Sequence, residues 1–458
     1  MSQLALAIKN GFEVDATTES PLVADACTCR SANGQANKLL PEDRPVHEWY
    51  RFVLSYPPHF VREYLQRFAV TQSHCVLDPF CGTGTTLVEC KKTGVPSIGV
   101  EVNPVGHFAS SVKTDWSPDP EGLAAHALSV FRTATAKTET AFRHVAQSTD
   151  SGPGAVSALR ALTSAQMGLL LKGSISPLPL HKTLCLLESI AELQDSRYAS
   201  HELLAAAKVA VQVASNLKFG PEVGVGRRKG DAAVLEAWLS EVRTMALDIR
   251  ATRGHDNTPA SVHCADARRL SDVIAPCSVD AVITSPPYPN EKDYTRTTRL
   301  ESVLLDFLRD KAQLRSLKKK LLRSNTRGVY KNDDDDRWVK DYPEIERIAR
   351  EIERRRVELG KTSGFERLYA RVTKLYFGGM LRHFDELRTV LRPGAHLAYV
   401  VGDQASYLRV MIRTGQILAD IAQSLGYELV GIDLIRTRLS TATKEQLREE
   451  VVVLRWPG

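Results

Sequence analysis

The chain has no run of eighteen or more apolar residues, so no membrane-spanning helix is expected. Its start, Met1-Ser2-Gln3-Leu4, has no basic stretch followed by a long apolar core, and a secretory signal is not expected either. Cysteine is sparse and scattered, with 8 in 458 residues, and only Cys27 and Cys29 lie close together. Such spacing fits neither a disulfide framework nor a four-ligand zinc centre. No metal is therefore expected, and free thiols in a reducing cytoplasm are. What remains is an ordinary globular balance, 43% hydrophobic and 25% charged. It suits one large domain with insertions, or two domains. The net charge of +6, with a pI near 8.8, suits a polyanionic partner provided the cations cluster.

Residues 1–44 are small, polar and aperiodic, which predicts a loosely ordered arm. From Pro45 to Phe68 the pattern changes to a run of aromatic and apolar residues whose later part has helical spacing, and Tyr56-Pro57-Pro58 is expected to break the chain between two short helices. Strand signals follow at Cys75–Asp78, Ser97–Val102, Ser261–Ala265, Ala281–Thr284, His396–Val401, Glu428–Ile435 and Val451–Leu454. A helix is expected from Thr85 to about Lys92, closed by Gly94. Helical spacing recurs over Leu123–Phe142, Val156–Leu171, Lys182–Leu193 and Glu202–Ala214, interrupted by a glycine-rich basic segment, Gly220–Gly230, expected to be a flexible loop. A charged helical segment lies between Asp310 and Gly360. Strands separated by helices imply a parallel sheet covered on both faces, with ligands gathered at the strands' carboxyl ends. The last two strands, close in sequence, suggest an antiparallel hairpin at one edge.

Two of those strand ends carry chemistry. After Val76-Leu77-Asp78 comes Pro79-Phe80-Cys81-Gly82-Thr83-Gly84-Thr85, a glycine-rich turn that lets a ligand approach the backbone and aims helix N-terminal amides at it. A third glycine of a dinucleotide fingerprint would fall at Leu87, and Thr85-Thr86 stand where a phosphate-loop lysine would be needed. Nicotinamide, flavin and nucleoside triphosphate readings are thereby weakened. Glu101 ends the second strand, placed to accept hydrogen bonds from ribose hydroxyls. The second motif is Asp280-Ala281-Val282-Ile283-Thr284-Ser285-Pro286-Pro287-Tyr288, a buried strand running into a proline-fixed loop. Ser285 Oγ and the Pro286 carbonyl are the polar acceptors there, and Tyr288 is an aromatic face. Carbon-5 methylation of cytosine would need a thiolate after this strand, yet the one Pro-Cys pair, Pro276-Cys277, precedes it.

Together the two motifs resemble those of the DNA methyltransferases that modify exocyclic amino groups. The resemblance implies a seven-stranded, Rossmann-like class I methyltransferase sheet with helices on both faces and helical insertions. It also implies S-adenosylmethionine as cofactor and a base flipped out of the duplex. On the matching positions it implies that Asp78, Phe80, Cys81, Gly82, Thr83, Gly84, Thr85, Glu101, Val102, Asp266, Ala267 and Ser285 form the cofactor site. Asp78 would lie near the methionine ammonium and Asp266 near the adenine, with the Trp49–Phe60 region completing the methionine pocket. Ser285, Pro286, Pro287 and Tyr288 would form the catalytic loop. Serine at its first position favours cytosine N4 over adenine N6. An RNA target, or a DNA-binding protein that keeps the fold without turnover, are the alternatives.

The expected catalytic domain is thus residues 45–116, 258–310 and 361–458. The insertion 117–257 is a candidate DNA-recognition region, and 311–360 a candidate DNA clamp. Cations cluster at Lys311, Arg315, Lys318, Lys319, Lys320, Arg323, Arg327 and Lys331. Lys318, Lys319, Lys320, Arg227, Arg228, Arg296 and Arg299 are the candidate phosphate contacts. Double-stranded DNA is the expected partner, a cognate restriction endonuclease is one that the resemblance allows, and a cytoplasmic, DNA-associated location is expected. The oligomeric state is not legible.

Overall fold

The computed structural model describes residues 39–458 except 53–54, 148–158, 221, 291 and 440–444. Cys27, Cys29 and residues 1–38 of the expected arm lie outside the described residues. Residues 39–44 are ordered: Pro41–Asp43 form a 3-10 turn, and the buried Asp43 accepts from Arg62 at 2.8 Å.

Nine strands form among the described residues: β1 Val76–Asp78, β2 Ser97–Val100, β3 Leu217–Phe219, β4 Val223–Val225, β5 Ala260–His263, β6 Val279–Thr284, β7 Leu391–Gly402, β8 Glu428–Leu439 and β9 Gln446–Arg455. Seven of them make one sheet in the order β5-β2-β1-β6-β7-β9-β8. The first five run parallel and β9 lies antiparallel between β7 and β8, so the carboxyl ends of β1, β2, β5, β6 and β7 share one edge. The expected terminal hairpin is β8–β9, with β8 at the sheet's edge.

Alternation along the central strands divides the core. Leu77, Val282, Leu397, Tyr399 and Val401 pack on one face with Tyr376, Phe377 and Phe384 of the helix Tyr369–Leu387. Val76, Ala281, Ile283, Ala398 and Val400 pack on the other with Val61 and Tyr64 of the helix Pro58–Arg67. This is the period-2 pattern of strands covered on both sides. A further layer lies beyond: the long helices Pro120–Gln147, Pro177–Glu192, Ala199–Val209 and Val234–Ala251 share one apolar cluster with Val88, Val105 and Trp49. Trp49 Nε1 and the Val46 amide both donate to Asp248 Oδ2, at 2.7 and 3.0 Å, tying the insertion to the segment before the glycine turn.

The Pro-Pro pair separates two short helices as expected, Arg44–His47 and Pro58–Arg67, the second starting on Pro58 itself because a first helical position needs no amide donor. Two local expectations need correction. The described part of Val156–Leu171 contains only a one-turn helix, Ser164–Met167. Its neighbours Leu162, Leu169 and Leu170 join Val303 and Leu308 in a separate apolar cluster, so their spacing reports burial rather than helix. The segment Gly220–Gly230 is no loose loop. It contributes β4 to a hairpin with β3, and the Asn216 carbonyl and Oδ1 accept from the Gly226 and Lys229 amides at 2.7 and 2.9 Å.

Candidate active site

The glycine turn follows β1. Gly82 has φ +52° and Gly84 φ +81°, left-handed values that side-chain-bearing residues rarely adopt. Gly84 opens the helix Thr85–Lys92, whose start is stepped sharply off the strand. Close approach is built in elsewhere too: a Cβ on Gly106 would lie 2.9 Å from Glu101 Cγ and 3.0 Å from the Gly82 carbonyl. Glu101 Oε2 accepts from the Gly82 amide at 2.9 Å and Oε1 from the Asn103 amide at 2.7 Å. Burial pushes its carboxyl up to about 7, against the pull of these donors.

The two sequence motifs meet through Asp78. Its fully buried carboxylate accepts from Thr284 Oγ1 at 2.6 Å, Tyr56 Oη at 2.8 Å and the Phe80 amide at 3.1 Å. Burial raises its carboxyl, and these donors oppose that rise. Thr86 Oγ1 donates to the Ile283 carbonyl at 3.0 Å and also bonds Tyr56. The end of β1, the start of the following helix and the end of β6 are therefore cross-linked immediately before Ser285. Ser285 Oγ donates in turn to the Val400 carbonyl of β7 at 3.1 Å. Tyr288 folds back so that its ring packs on Gly402, where a Cβ would come within 3.2 Å of it.

Several contributors carry no motif. Lys113, 1% exposed, donates to the Thr83 carbonyl at 2.8 Å from behind the turn; burial, then nearby Arg51 and Lys92, pulls its ammonium down to about 7. Thr83 Oγ1 is buried without a hydrogen-bond partner, an open polar position inside the turn. Phe52 lies 3.7 Å from where a Gly82 Cβ would stand. Phe80 meets His383 edge-on at 4.9 Å. His383 bridges the Ala267 carbonyl (Nδ1, 2.8 Å) and Tyr399 Oη (Nε2, 2.7 Å), and burial drops it to about 4, so it is neutral. Lone histidines and lysines at ordinary helix positions gave no signal in the sequence; only tertiary contact reveals them.

Asp266 lies in the loop three residues beyond the end of β5 rather than on the strand, and its carboxylate is held bidentately by Arg268 at 3.0 and 2.6 Å, with Arg268 also bonding Asp335 at 2.5 Å. Cys81 is buried at 3.8 Å from Ser110 Oγ, with burial raising its thiol well above the ordinary range. Val102 and Thr85 sit at the same edge, half-buried and buried respectively.

The candidate DNA contacts divide. Lys318 Nζ is ion-paired with Asp293 Oδ2 at 2.6 Å, both side chains little exposed. Arg299 donates to the Thr295 carbonyl at 3.0 Å and to Thr295 Oγ1 at 2.8 Å, which ties the helix Arg299–Leu304 that it opens to the one-turn helix before it. Arg296 reaches Glu222 at 3.4 Å. Lys319, Lys320, Arg227 and Arg228 are exposed and make no ion pair among the described residues. No described helix is long and apolar enough to cross a membrane.

A strand order with one antiparallel seventh strand inserted beside the fifth, and both motif loops at the carboxyl edge, define a class I methyltransferase. Comparison with known proteins narrows the class. The family model described as DNA methylase, for N6 and N4 enzymes, matches residues 41–107. Type II methyltransferase M.BsoBI of Geobacillus stearothermophilus is 26% identical over 452 residues, 92% of this chain and 85% of that protein. Type II methyltransferase M.AvaI of Nostoc sp. is 23% identical over 453 residues, 92% and 88% of the two chains. The solved rRNA methyltransferase aviRa from Streptomyces viridochromogenes covers 93% of this chain and 96% of its own at 10% identity and a TM-score of 0.28, too loose a match to bear on this protein. Over most of its length the chain is thus similar to type II DNA methyltransferases, and residues 41–107 match the DNA methylase family model.

Proposed function

We propose that this protein transfers a methyl group from S-adenosylmethionine to the exocyclic N4 amino group of cytosine, within a specific site of double-stranded DNA and on a base turned out of the stack. One observation carries the reading. The Thr284–Asp78 hydrogen bond holds an amino-group acceptor, Ser285, on the strand end beside the glycine turn. The residues present fit the cofactor: Gly82 and Gly84 set the left-handed turn, with bare backbone at Gly82, Thr83 Oγ1 has no partner, and Glu101 has lone pairs for two ribose hydroxyls. S-adenosylmethionine, when bound, supplies an electrophilic sulfonium methyl group.

Everything else falls to the chain. A cytosine amino nitrogen is a weak nucleophile because its lone pair is delocalised into the ring. Ser285 already spends its proton on Val400, so its oxygen presents lone pairs, and with the Pro286 carbonyl it accepts the two amino hydrogens. That favours a more tetrahedral nitrogen poised for in-line attack. Pro286 and Pro287 keep both acceptors aimed, and Tyr288 lends an aromatic face to the flipped base. No covalent enzyme intermediate is required, and the raised thiol of Cys81 agrees with an inert role. Serine at the first position of the loop favours cytosine. The proposed setting is a cytoplasmic restriction-modification pair, with duplex DNA as substrate and a cognate endonuclease as counterpart. Mass spectrometry of nucleosides from DNA treated with the protein and cofactor tests the proposal. N4-methylcytosine is expected, and N6-methyladenine alone would overturn the base assignment.

A further inference from the structure

The exit of the Ser285 loop is unusually rich in under-neutralised cations. Arg296 lies on the one-turn helix Tyr294–Thr297 just beyond the loop. Arg327 lies on the 3-10 turn Thr326–Gly328 of the charged insertion. The two are drawn together by a backbone tie: Asn325 Nδ2 donates to the Lys292 carbonyl at 2.9 Å. Both guanidiniums face a single oxygen, Oε2 of Glu222, at 3.4 Å from Arg296 Nη1 and 4.0 Å from Arg327 Nη2. Glu222 comes from outside the catalytic core, from the turn of the β3–β4 hairpin.

These contacts are loose by the standards of this molecule. Arg268–Asp266, Lys318–Asp293 and Arg323–Asp333 close to 2.6, 2.6 and 2.8 Å. Arg296 Nε is moreover a buried donor with no hydrogen-bond partner, a condition that ordinarily costs free energy unless a ligand relieves it. The Lys292 ammonium is lowered by burial and then by Arg438, with Glu222 acting in the opposite sense. The Arg327 guanidinium also lies over the Phe365 ring, 5.7 Å from its centroid. Two guanidiniums thus converge on one half-exposed carboxylate that satisfies neither of them well.

We propose that Arg296 and Arg327 form a phosphodiester-binding site at the mouth of the Ser285 loop. Glu222 is its internal stand-in while DNA is absent. The proposal rests on the DNA-methylating reading and adds to it a site at which the target strand's backbone is gripped. A phosphate offers several acceptor oxygens in place of one shared carboxylate oxygen and can engage Arg296 Nε together with Arg327 in the geometry guanidinium forks prefer. Binding would then displace Glu222, and the helical insertion that carries it would register whether DNA is present.

The test is a double-mutant cycle on the full chain, with binding to a fluorescent duplex measured across a salt series. Glu222→Gln should tighten binding, roughly fivefold or more at low salt, because an internal competitor is removed. Arg327→Gln should weaken it and flatten the salt dependence by about 0.9 in the slope of log affinity against log salt. The gain from Glu222→Gln should vanish in the Arg296→Gln/Arg327→Gln background, since the carboxylate then has nothing to occupy. An additive gain would reduce Glu222 to long-range repulsion, and weaker binding by Glu222→Gln would make it a structural clamp; either overturns the proposal. Arg327→Gln, at an exposed position, keeps the test valid should the Arg296 variant misfold. Wild-type protein that binds duplex DNA yet yields only N6-methyladenine would sink the cytosine assignment and leave this site standing.

Discussion

Gly106→Ala isolates the proposed cofactor cradle from the fold. Gly106 sits in the first turn of the helix Pro104–Thr114 with an ordinary negative φ, so alanine meets no backbone strain there. Intrinsic propensity favours the change by about 1 kcal/mol. The new methyl would nevertheless stand 2.9 Å from Glu101 Cγ and 3.0 Å from the Gly82 carbonyl, about half an ångström inside comfortable contact. The strand end and the glycine turn must separate, and Glu101 loses alignment with the Gly82 or Asn103 amide. A hydrogen bond to a charged group contributes about 1.5–3 kcal/mol, so S-adenosylmethionine affinity should fall roughly 10- to 100-fold. Overpacking of this kind costs about 1–3 kcal/mol, partly offset by the helix gain, so global stability should drop by no more than about 2 kcal/mol. Calorimetric titration beside thermal denaturation reads both quantities. Affinity within about twofold of wild type would refute the Glu101–Gly82–Gly106 geometry as part of the cofactor site. Gly84→Asp is a poorer probe: at φ +81° its Cβ would also strike Ser110 Cβ at 2.9 Å, so loss of folding would accompany loss of binding.

Because burial holds the Glu101 carboxyl near 7, the ionised form that the proposed ribose contact needs is scarce in the empty site at acid pH. Cofactor affinity should therefore rise from pH 6 towards 8, by at most about tenfold per unit, and level off above. Glu101→Gln should bind weakly with no such rise. In the free protein the sign reverses: the folded state holds this proton more tightly than the unfolded chain, so its contribution to stability declines as pH climbs from 4.5 to about 7. Ser285→Ala should cut single-turnover methyl transfer by about 100-fold or more while leaving cofactor affinity within a few-fold, and an unchanged rate would remove Ser285 from the chemistry. Lys318→Gln leaves the little-exposed Asp293 unpaired and should destabilise the protein by about 3 kcal/mol in denaturant titrations. Lys319→Gln with Lys320→Gln should spare stability and flatten the salt slope of DNA binding by up to about 1.8; a wild-type slope would place the clamp elsewhere.

The sheet was legible because each strand pairs an apolar run with a definite end. Asp78, Glu101 and Thr284 close β1, the β2 edge and β6 almost where the pattern puts them. The glycine turn was legible for a related reason: φ values of +52° and +81° leave residue choice little freedom, so the backbone requirement is written into the sequence. The helix read over Val156–Leu171 shows the limit, since Leu169 and Leu170 are apolar for a cluster with Val303 and Leu308 that local periodicity does not distinguish from a helical stripe.

Charge was the least legible property. The run around Lys318, Lys319 and Lys320 looks uniform in sequence, yet within one turn of helix it holds a lysine locked onto Asp293 and two that face solvent. Likewise Arg296, Arg299 and Arg327 are alike as letters, and only the folded chain assigns one to its own backbone and two to a shared, ill-fitting carboxylate from another part of the chain. Local backbone demands act between near neighbours and leave their trace residue by residue, so the sequence alone determined the sheet, the turn and the loop that follows β6. Pairing of charges depends on distances of a few ångströms between segments far apart in the chain. Only the tertiary structure could decide, therefore, which cations are spent on the fold and which remain for a phosphate.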